Sequence, residues 1–388
     1  MPIVNRVADL QSEIAEWRHD LHAHPELMFD VNRTAGMVAE KLREFGCDEV
    51  VTGIGRTGVV GVIRGRKSAS DKAIGLRADM DALPIKEETG LPYKSTVPGK
   101  MHACGHDGHT AMLLGAARYL AETRNFAGTA VVIFQPAEEG GGGGKVMVED
   151  GLMERFKIGE VYGMHNYPGL PVGQFALRPG PIMAAADFLT IDVGGKGGHA
   201  ARPHLSVDTV LVGAQIVNAI QSIVSRNVDP LESAVVSITT FHAGNADNVI
   251  PQTAELRGTA RSLSPAVRDL LETRLQEVVE GTAALYGAKA RLNYHRGYPV
   301  VINHAAQTDF AAKVAREVTG QDRVHANMTP VMGGEDFAFM LNARPGAFIF
   351  VGNGDSASLH HPAYNFDDEA IPFGTSYWVK LVETALAG

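Results

Sequence analysis

Residues 102–110 read HACGHDGHT, and this stretch contains three histidines, one cysteine and one aspartate within nine positions. Thiolate, imidazole and carboxylate groups are the usual protein ligands of zinc and related ions. The helix-compatible run AMLLGAARYLAE follows Thr110. We therefore expect a metal-binding loop at the N-terminal end of a helix, where the helix dipole favours a thiolate. In extended backbone, Cys104 and His106 would share a face and could reach one centre.

The composition of the chain limits the kinds of protein that it can be. Its 388 residues are enough for two domains, and 45% of them are hydrophobic, which is enough for large cores. A formal net charge of -9 argues against nucleic acid or an anionic membrane as the main partner. With only two cysteines, Cys47 and Cys104, we expect no disulfide framework and a reducing compartment, the cytoplasm. We find no pattern of a signal peptide and no apolar run that is long enough to span a membrane.

The N-terminal half of the chain predicts an α/β domain. Apolar residues at helical spacing predict a first helix that ends near His24, beside the pair His22 and His24, which we interpret as structural or supporting residues. Apolar runs predict buried strands at residues 59–63, 73–79 and 129–136, with helices between them. Open α/β sheets place their sites at the carboxyl ends of such strands, where Asp79, Asp81 and Glu138 lie.

The pattern of elements changes between residues 184 and 293. The predicted order is strand 188–193, helix 206–226, strands 234–241 and 253–262, helix 266–286 and strand 289–294. This βαββαβ order is typical of a ferredoxin-like α+β unit. Afterwards the α/β pattern resumes with a helix at 305–319, a strand at 347–352 and a helix at 374–387. We therefore predict a discontinuous domain of residues 1–183 and 294–388, interrupted by an inserted domain of residues 184–293.

Residues that can bind metals recur at four places, which we interpret as loops. These are Cys104 with His106, the pair Glu138 and Glu139, His165 in GMHNYPG, and the pair His360 and His361 in SLHHPAY. Most of them follow a strand, and strands of one sheet bring their carboxyl ends to one edge, so we expect all four to converge. So many ligands exceed one closed tetrahedral site and fit a two-metal hydrolytic site with open positions. Because adjacent side chains point apart in extended backbone, one of the two glutamates can bind metal while the other accepts a proton from water.

Along the chain, six motifs follow one another: HACGHDGHT, QPAEEG, GMHNYPG, GGKGGHAARPH, GGEDFAF and LHHP. In type and order, they resemble the amidohydrolase branch of the dinuclear metallopeptidase family. This branch includes hippurate hydrolase, bacterial N-acyl-amino-acid amidohydrolases and plant hydrolases of indole-acetyl-amino-acid conjugates. The resemblance implies an α/β fold in which a mixed-sheet catalytic domain binds two metals and an inserted ferredoxin-like domain serves as a lid and dimerisation domain.

The resemblance also implies roles for individual residues. Two divalent ions would be bound by Cys104, which bridges them where peptidase relatives use a carboxylate, and by His106, Glu139, His165 and His360. Glu138 would be the general base, and His361 would not be a ligand. Zinc, manganese, cobalt and nickel all remain compatible with these ligands.

The stretch RADMDALP departs from the peptidase branch, in which a ligand histidine stands two positions before an aspartate. Asp79 occupies that histidine position here, so its role as a ligand does not carry over. Asp81 would instead orient a metal ligand. RADMDALP is itself typical of the amidohydrolase branch.

The inserted domain contains further candidates. The resemblance implies a homodimer, with a tetramer also compatible, in which His199 reaches the neighbouring subunit's site and polarises the scissile carbonyl like an oxyanion donor. Asn248 and Arg261 are candidates for binding the substrate carboxylate, which suits the fork of an arginine. Alternatively, these two residues are a turn asparagine and a surface arginine.

The ligand pattern predicts a metal-dependent hydrolase, and the resemblance implies that it cleaves the amide bond of small N-acyl-amino acids, such as N-benzoylglycine or N-acetyl-amino acids. One alternative is a cysteine amidase with Cys104 as the nucleophile, which leaves Glu139, His165 and His360 unexplained. Another is a metal-binding protein without catalysis, which leaves the free glutamate beside a ligand unexplained. A dipeptidase or deacetylase of the same family would differ only in its substrate.

Overall fold

The chain folds into two compact units in the computed structural model, which describes residues 4–68 and 70–388. The first unit comprises Met1–Ile182, Ile302–Thr329 and Asp336–Gly388, and the second comprises Met183–Val301 and Pro330–Glu335. The boundary expected at residue 293 falls inside a strand, Lys289–Tyr298. A domain boundary at residue 293 would divide this strand, whose residues on both sides of 293 are hydrogen-bonded into the same sheet, so the second unit continues beyond residue 293.

The first unit is built on an eight-stranded mixed sheet. Its spatial order is β1 (Glu49–Ile54), β2 (Gly58–Arg64), β4 (Thr129–Gln135), β3 (Ala73–Asp79), β5 (Glu160–Tyr167), β16 (Gly346–Gly352), β6 (Phe175–Ala176) and β15 (Val324–His325). Strands β4, β3, β5 and β16 are consecutive and parallel. Their carboxyl ends therefore share one edge of the sheet.

The helices of the first unit are α1 (Asn5–Ala23), α2 (Asn32–Glu44), α3 (His106–Thr123), α4 (Gly143–Glu149), α5 (Leu152–Arg155), α8 (Ala305–Thr319), α9 (Ala338–Ala343) and α10 (Ile371–Ala385). Helix α3 packs against α1 and α10. Every residue of β3 and β16 is buried, which agrees with the apolar runs that predicted these strands. The predicted mixed α/β sheet is thus confirmed.

The second unit has a four-stranded antiparallel sheet. Its order is β10 (Ala234–Ala243), β12 (Thr253–Ser262), β8 (Ala185–Gly194) and β13 (Lys289–Tyr298), with α6 (Thr209–Arg226) and α7 (Pro265–Leu285) as its helices. The short strands β9 (Gly198–His199) and β11 (Val249–Ile250) pair with each other. The remaining short strands, β7 (Gly180–Met183) and β14 (Val301–Asn303), lie where the chain passes from one unit to the other. The predicted ferredoxin-like order is confirmed.

Helix α6 begins later than the expected residue 206, because Asp208 is its N-cap. The Asp208 side chain accepts hydrogen bonds from the backbone N–H groups of Val210 and Leu211. Among the described residues, no helix combines the length and the apolar character that crossing a lipid bilayer requires.

Candidate metal centre

Cys104 and His106 lie at a sharp turn into a helix rather than in an extended loop. Helix α3 begins at His106, earlier than the expected start after Thr110, and Gly105 precedes it with a φ of 90°. This left-handed conformation is open mainly to glycine, so the expected extended face shared by the two ligands was wrong. A Cβ on Gly105 would also lie 2.3 Å from Nδ2 of Asn166. A glycine is therefore required here both for the turn and for the close approach of Asn166.

The structure brings the five expected metal ligands together. Cys104, His106 and Glu139 each offer a ligand atom, and these three atoms lie within 4.8 Å of one another. Cys104 Sγ is 3.4 Å from His165 Nε2. Glu139 Oε1 is 3.2 Å from His360 Nε2 and 4.0 Å from His106 Nε2. His165 reaches the cluster from within strand β5 rather than from the loop that the sequence had suggested.

In His106 and His165, a hydrogen bond on the side of the ring away from the cluster determines which ring nitrogen is available to bind a metal. Nδ1 of His106 donates to the backbone carbonyl of Asp81 at 2.8 Å, and Nδ1 of His165 donates to the carbonyl of Asn166 at 2.7 Å. When either ring is neutral, its Nε2 therefore carries the lone pair that a metal can use. The buried Nε2 of His106 makes no hydrogen bond to any residue that the structure describes. An unpaired acceptor beside a thiol and a carboxylate fits a divalent cation, so these residues suit a metal site.

Two of these ligands would bind a metal in competition with protons. Burial, together with the nearby carboxylate of Glu139, raises the pKa of the Cys104 thiol well above its usual value. Burial disfavours the charged form of His106, but the nearby carboxylates of Asp79, Asp81 and Glu139 together outweigh burial and raise the pKa of His106 to about 10. Because a metal must displace both protons, metal affinity is expected to increase with pH.

Asp81 holds the segment that carries the two glutamates. Its Oδ1 accepts a hydrogen bond from the backbone N–H of Glu138 at 2.9 Å, and its Oδ2 accepts one from that of Glu139 at 3.1 Å. Its own backbone carbonyl accepts from His106. One aspartate therefore contacts two segments of the cluster, which supports its assignment as an orienting residue.

The two adjacent histidines near the C-terminus have different surroundings. His360 adopts a left-handed backbone conformation, with φ 65°, and its ring faces Glu139. Nδ1 of His361 instead accepts a hydrogen bond from the backbone N–H of Ala363 at 3.0 Å. This geometry favours His360 over His361 as a ligand.

Asp79 lies beside the cluster, but both of its oxygens are already used. Oδ2 accepts from Nη1 of Arg77 at 2.8 Å, and Oδ1 accepts from Nδ1 of His109 at 2.6 Å. Burial opposes ionisation of Asp79, yet His106 and Arg77 lower its pKa well below the usual value. Neither Arg77 nor His109 was expected from the sequence to be a site residue. His106 and His109 are three positions apart in the first turn of α3, a spacing that would have placed them on one face of the helix had its start been predicted correctly.

The two histidines near the N-terminus, His22 and His24, make different contacts. His22 is buried, with Nδ1 2.9 Å from Asp107 Oδ2 and Nε2 3.3 Å from Glu87 Oε1. Arg18 Nη1 is 3.1 Å from the same oxygen of Asp107. His24 instead stays within its own helix end: its Nδ1 donates to the backbone carbonyl of Asp20 at 2.8 Å and lies 3.4 Å from the carboxylate of the same residue. His22 and Arg18 thus tie helix α1 to the residue that follows His106.

Stability is expected to decrease above neutral pH through His22. Burial opposes its charged form, but hydrogen bonds to Asp107 and Glu87 raise its pKa to about 9. Because this pKa is higher than in the unfolded chain, the resulting stabilisation is complete below about pH 6.5 and is lost as pH rises through about 9. Urea unfolding of the wild type and His22→Gln should show a difference in free energy of unfolding that shrinks over this range. A difference independent of pH would contradict a charged His22.

The remaining candidates, His199, Asn248 and Arg261, lie in the second unit. His199 is exposed and pairs with Val249, while the backbone carbonyl of Asn248 accepts a hydrogen bond from the N–H of Ala200 at 3.0 Å. The structure thus brings His199 and Asn248 to one short pair of strands. Arg261 lies in the other sheet, on β12, where its buried Nη1 makes no hydrogen bond to any described residue.

Comparison with known proteins shows close relatives over the whole length of the chain. The sequence profile of peptidase family M20/M25/M40 matches residues 75–384, which include all five expected ligands. The chain is 45% identical over 381 residues to hippurate hydrolase of Campylobacter jejuni, covering 98% of each chain. It is 40% identical over 376 residues to N-acetylcysteine deacetylase of Bacillus subtilis, covering 97% of each. The solved structure of the Bacillus subtilis YXEP protein, described as a dinuclear metal binding peptidase, matches with a TM-score of 0.85 and 36% identity over 98% of this chain and 99% of that one.

Proposed function

Because the chain belongs to peptidase family M20/M25/M40, we propose that it is a two-metal hydrolase of N-acyl-amino acids, which it cleaves to a carboxylic acid and an amino acid. The observation that carries this proposal is the convergence of a thiol, imidazoles and a carboxylate on one cluster, with a second glutamate next to it. The relatives named hippurate hydrolase and N-acetylcysteine deacetylase support substrates in which an acyl group is joined to an amino acid.

Glu138 is proposed as the general base. When bound, the metal ions would polarise the substrate carbonyl and make water more acidic. Glu138 accepts a proton as the oxygen of water adds to the carbonyl carbon, and it returns that proton to the nitrogen when the C–N bond breaks. The residue is only 6% exposed, and its backbone N–H is held by Asp81. A carboxylate that is shielded from bulk water on a fixed backbone is suited to both proton transfers.

The ligand set supports zinc, manganese, cobalt or nickel as the native ion. Asn248 and Arg261 are proposed to bind the substrate carboxylate, and the unpaired Nη1 of Arg261 is an available donor for it.

A panel of N-benzoylglycine, N-acetyl-amino acids, an indole-acetyl conjugate and a dipeptide tests the proposed activity. Hydrolysis should disappear after chelation and return with one of the four metals. The preferred compound then separates acyl-amino-acid hydrolysis from dipeptide hydrolysis. Activity that persists through complete removal of metal would contradict the proposal and favour the cysteine amidase.

A homodimer through the second unit is proposed as the assembly, with a tetramer also compatible. Nearly all large hydrophobic side chains that are exposed among the described residues belong to this unit: Phe188, Leu205, Val210, Leu211, Leu231, Val235, Phe241, Val249, Leu285 and Tyr286. Strand β10 is an edge strand of its sheet, so one side of its backbone remains available for pairing. Exposed apolar side chains at a free sheet edge support contact with another subunit.

Mixing two inactive variants tests whether His199 serves the neighbouring subunit. Glu138→Gln and His199→Ala should each be inactive alone. After the two are unfolded and refolded together in equal amounts, random pairing yields one intact site in each mixed dimer and about a quarter of wild-type activity. No recovery from two variants that each dimerise would contradict a role for His199 across the interface.

A further inference from the structure

The buried residues His109 and Asn166 have no role in the function proposed above, yet they connect its parts. Nδ1 of His109 donates to Oδ1 of Asp79 at 2.6 Å, and the backbone N–H of Asn166 donates to Nε2 of His109 at 2.9 Å. The side-chain amide of Asn166 donates to the backbone carbonyl of Cys104 at 2.6 Å. A continuous series of hydrogen bonds therefore joins the end of β3, the Cys104 turn and strand β5.

His109 differs from the expected histidine ligands in the use of its ring. Asp79 accepts from Nδ1, so this nitrogen carries the proton, and Nε2 accepts from the backbone of Asn166. Both ring nitrogens are therefore occupied by protein groups. In His106 and His165, by contrast, only Nδ1 is used by a backbone carbonyl, and Nε2 faces the cluster. This difference indicates that His109 supports the site without binding metal.

The series is anchored at both ends. At one end, Arg77 donates to Asp79 at 2.8 Å and to Asp336 Oδ1 at 2.9 Å, and all three side chains are buried. At the other end, the hydroxyl of Tyr364 donates to Oδ1 of Asn166 at 2.9 Å. Because Oδ1 of Asn166 accepts from the tyrosine, its Nδ2 must face Cys104, so the orientation of the amide is determined.

We propose that His109 and Asn166 are positioning residues that hold the Cys104 thiol against His165 for metal binding. Asn166 contacts both ligands, because its amide donates to the carbonyl of Cys104 and its own carbonyl accepts from Nδ1 of His165. His109 fixes the backbone of Asn166 relative to the anchored Asp79. The separation of 3.4 Å between Cys104 Sγ and His165 Nε2 is thus set by this pair. The inference rests on the metal site of the proposed function.

Cobalt titration of the chelator-treated full chain tests the inference without relying on activity. The thiolate-to-cobalt absorption band reports binding next to Cys104, and equilibrium dialysis counts the bound ions. We expect His109→Leu and Asn166→Ala to weaken cobalt binding in this band by about tenfold or more, the range typical when a ligand loses its orienting partner. His109→Gln can both donate to Asp79 and accept from Asn166, so it should restore affinity to within a few-fold of wild type.

Asn303→Ala is the matched control. Asn303 is equally buried, and its amide donates to the backbone carbonyls of Arg178 and Phe348, away from the cluster. This variant should bind cobalt as the wild type does, and thermal unfolding without metal shows how much stability each variant has lost.

Three outcomes would overturn the inference. Equal loss of affinity in His109→Leu and His109→Gln would identify His109 as a ligand. Wild-type affinity in both His109→Leu and Asn166→Ala would remove the positioning role, and an equal loss in Asn303→Ala would reduce the effect to general destabilisation. If the wild-type protein itself shows no thiolate band, the metal site of the proposed function is refuted. This result in the wild type distinguishes failure of the proposed function from failure of the present inference, which concerns only the variants.

Discussion

Glu138→Gln is expected to lower kcat by about a thousandfold while leaving metal content unchanged. Glutamine has nearly the same shape as glutamate but cannot accept the proton from water. The backbone contact of residue 138 with Asp81 would be retained, because it uses the main-chain N–H. Steady-state kinetics on the best N-acyl-amino acid measure the loss, and metal analysis of the same sample measures occupancy.

Glu139→Gln is the matched control, since it removes the same charge from the next residue on the same anchor. This variant should lose metal and activity together, because Glu139 lies within the ligand cluster. Normal turnover by a metal-loaded Glu138→Gln would refute the general base. A loss of metal in Glu138→Gln equal to that in Glu139→Gln would assign residue 138 to metal binding instead.

Cys104→Asp is expected to retain metal and measurable activity, whereas Cys104→Ala should lose both. A carboxylate is a metal ligand and can replace the thiolate in that capacity, while alanine offers no donor atom. We expect Cys104→Ala to weaken metal binding by more than about a hundredfold, since losing a ligand should exceed the effect of losing its orienting partner. Isothermal titration with zinc and hydrolysis assays on the metal-loaded variants measure these differences.

The same pair of variants distinguishes the two-metal hydrolase from the cysteine amidase. A nucleophilic thiol cannot be replaced by aspartate in acyl transfer, so the amidase predicts that both variants are equally inactive. Cys47→Ser provides the control for a general effect of removing a thiol. Burial raises the pKa of Cys47 to about 12, so it is a poor nucleophile and its replacement should leave activity and metal content unchanged.

Several elements could be predicted from the sequence because their local pattern of apolar residues matches the pattern of burial in the structure. Strand β3 and helix α8 match their predicted ranges, 73–79 and 305–319. Every residue of β3 is buried, and the buried residues of α8 recur at helical spacing, so local periodicity carried the information. The start of α3 was missed because its N-cap is a glycine in a left-handed conformation, and no capping side chain marks it.

The sequence by itself determined which side chains are available for chemistry and which predicted strands they follow along the chain. A cysteine, several histidines and paired glutamates after buried strands are enough to predict a metal-binding hydrolase, since the side chains define the possible ligands. It did not determine how those groups are held. His109 meets Asp79 across 30 residues of chain, and Asn166 meets Cys104 across 62. Such contacts depend on how strands and turns pack together, so only the tertiary structure decided which histidines keep a free ring nitrogen for metal and which one is used to position them.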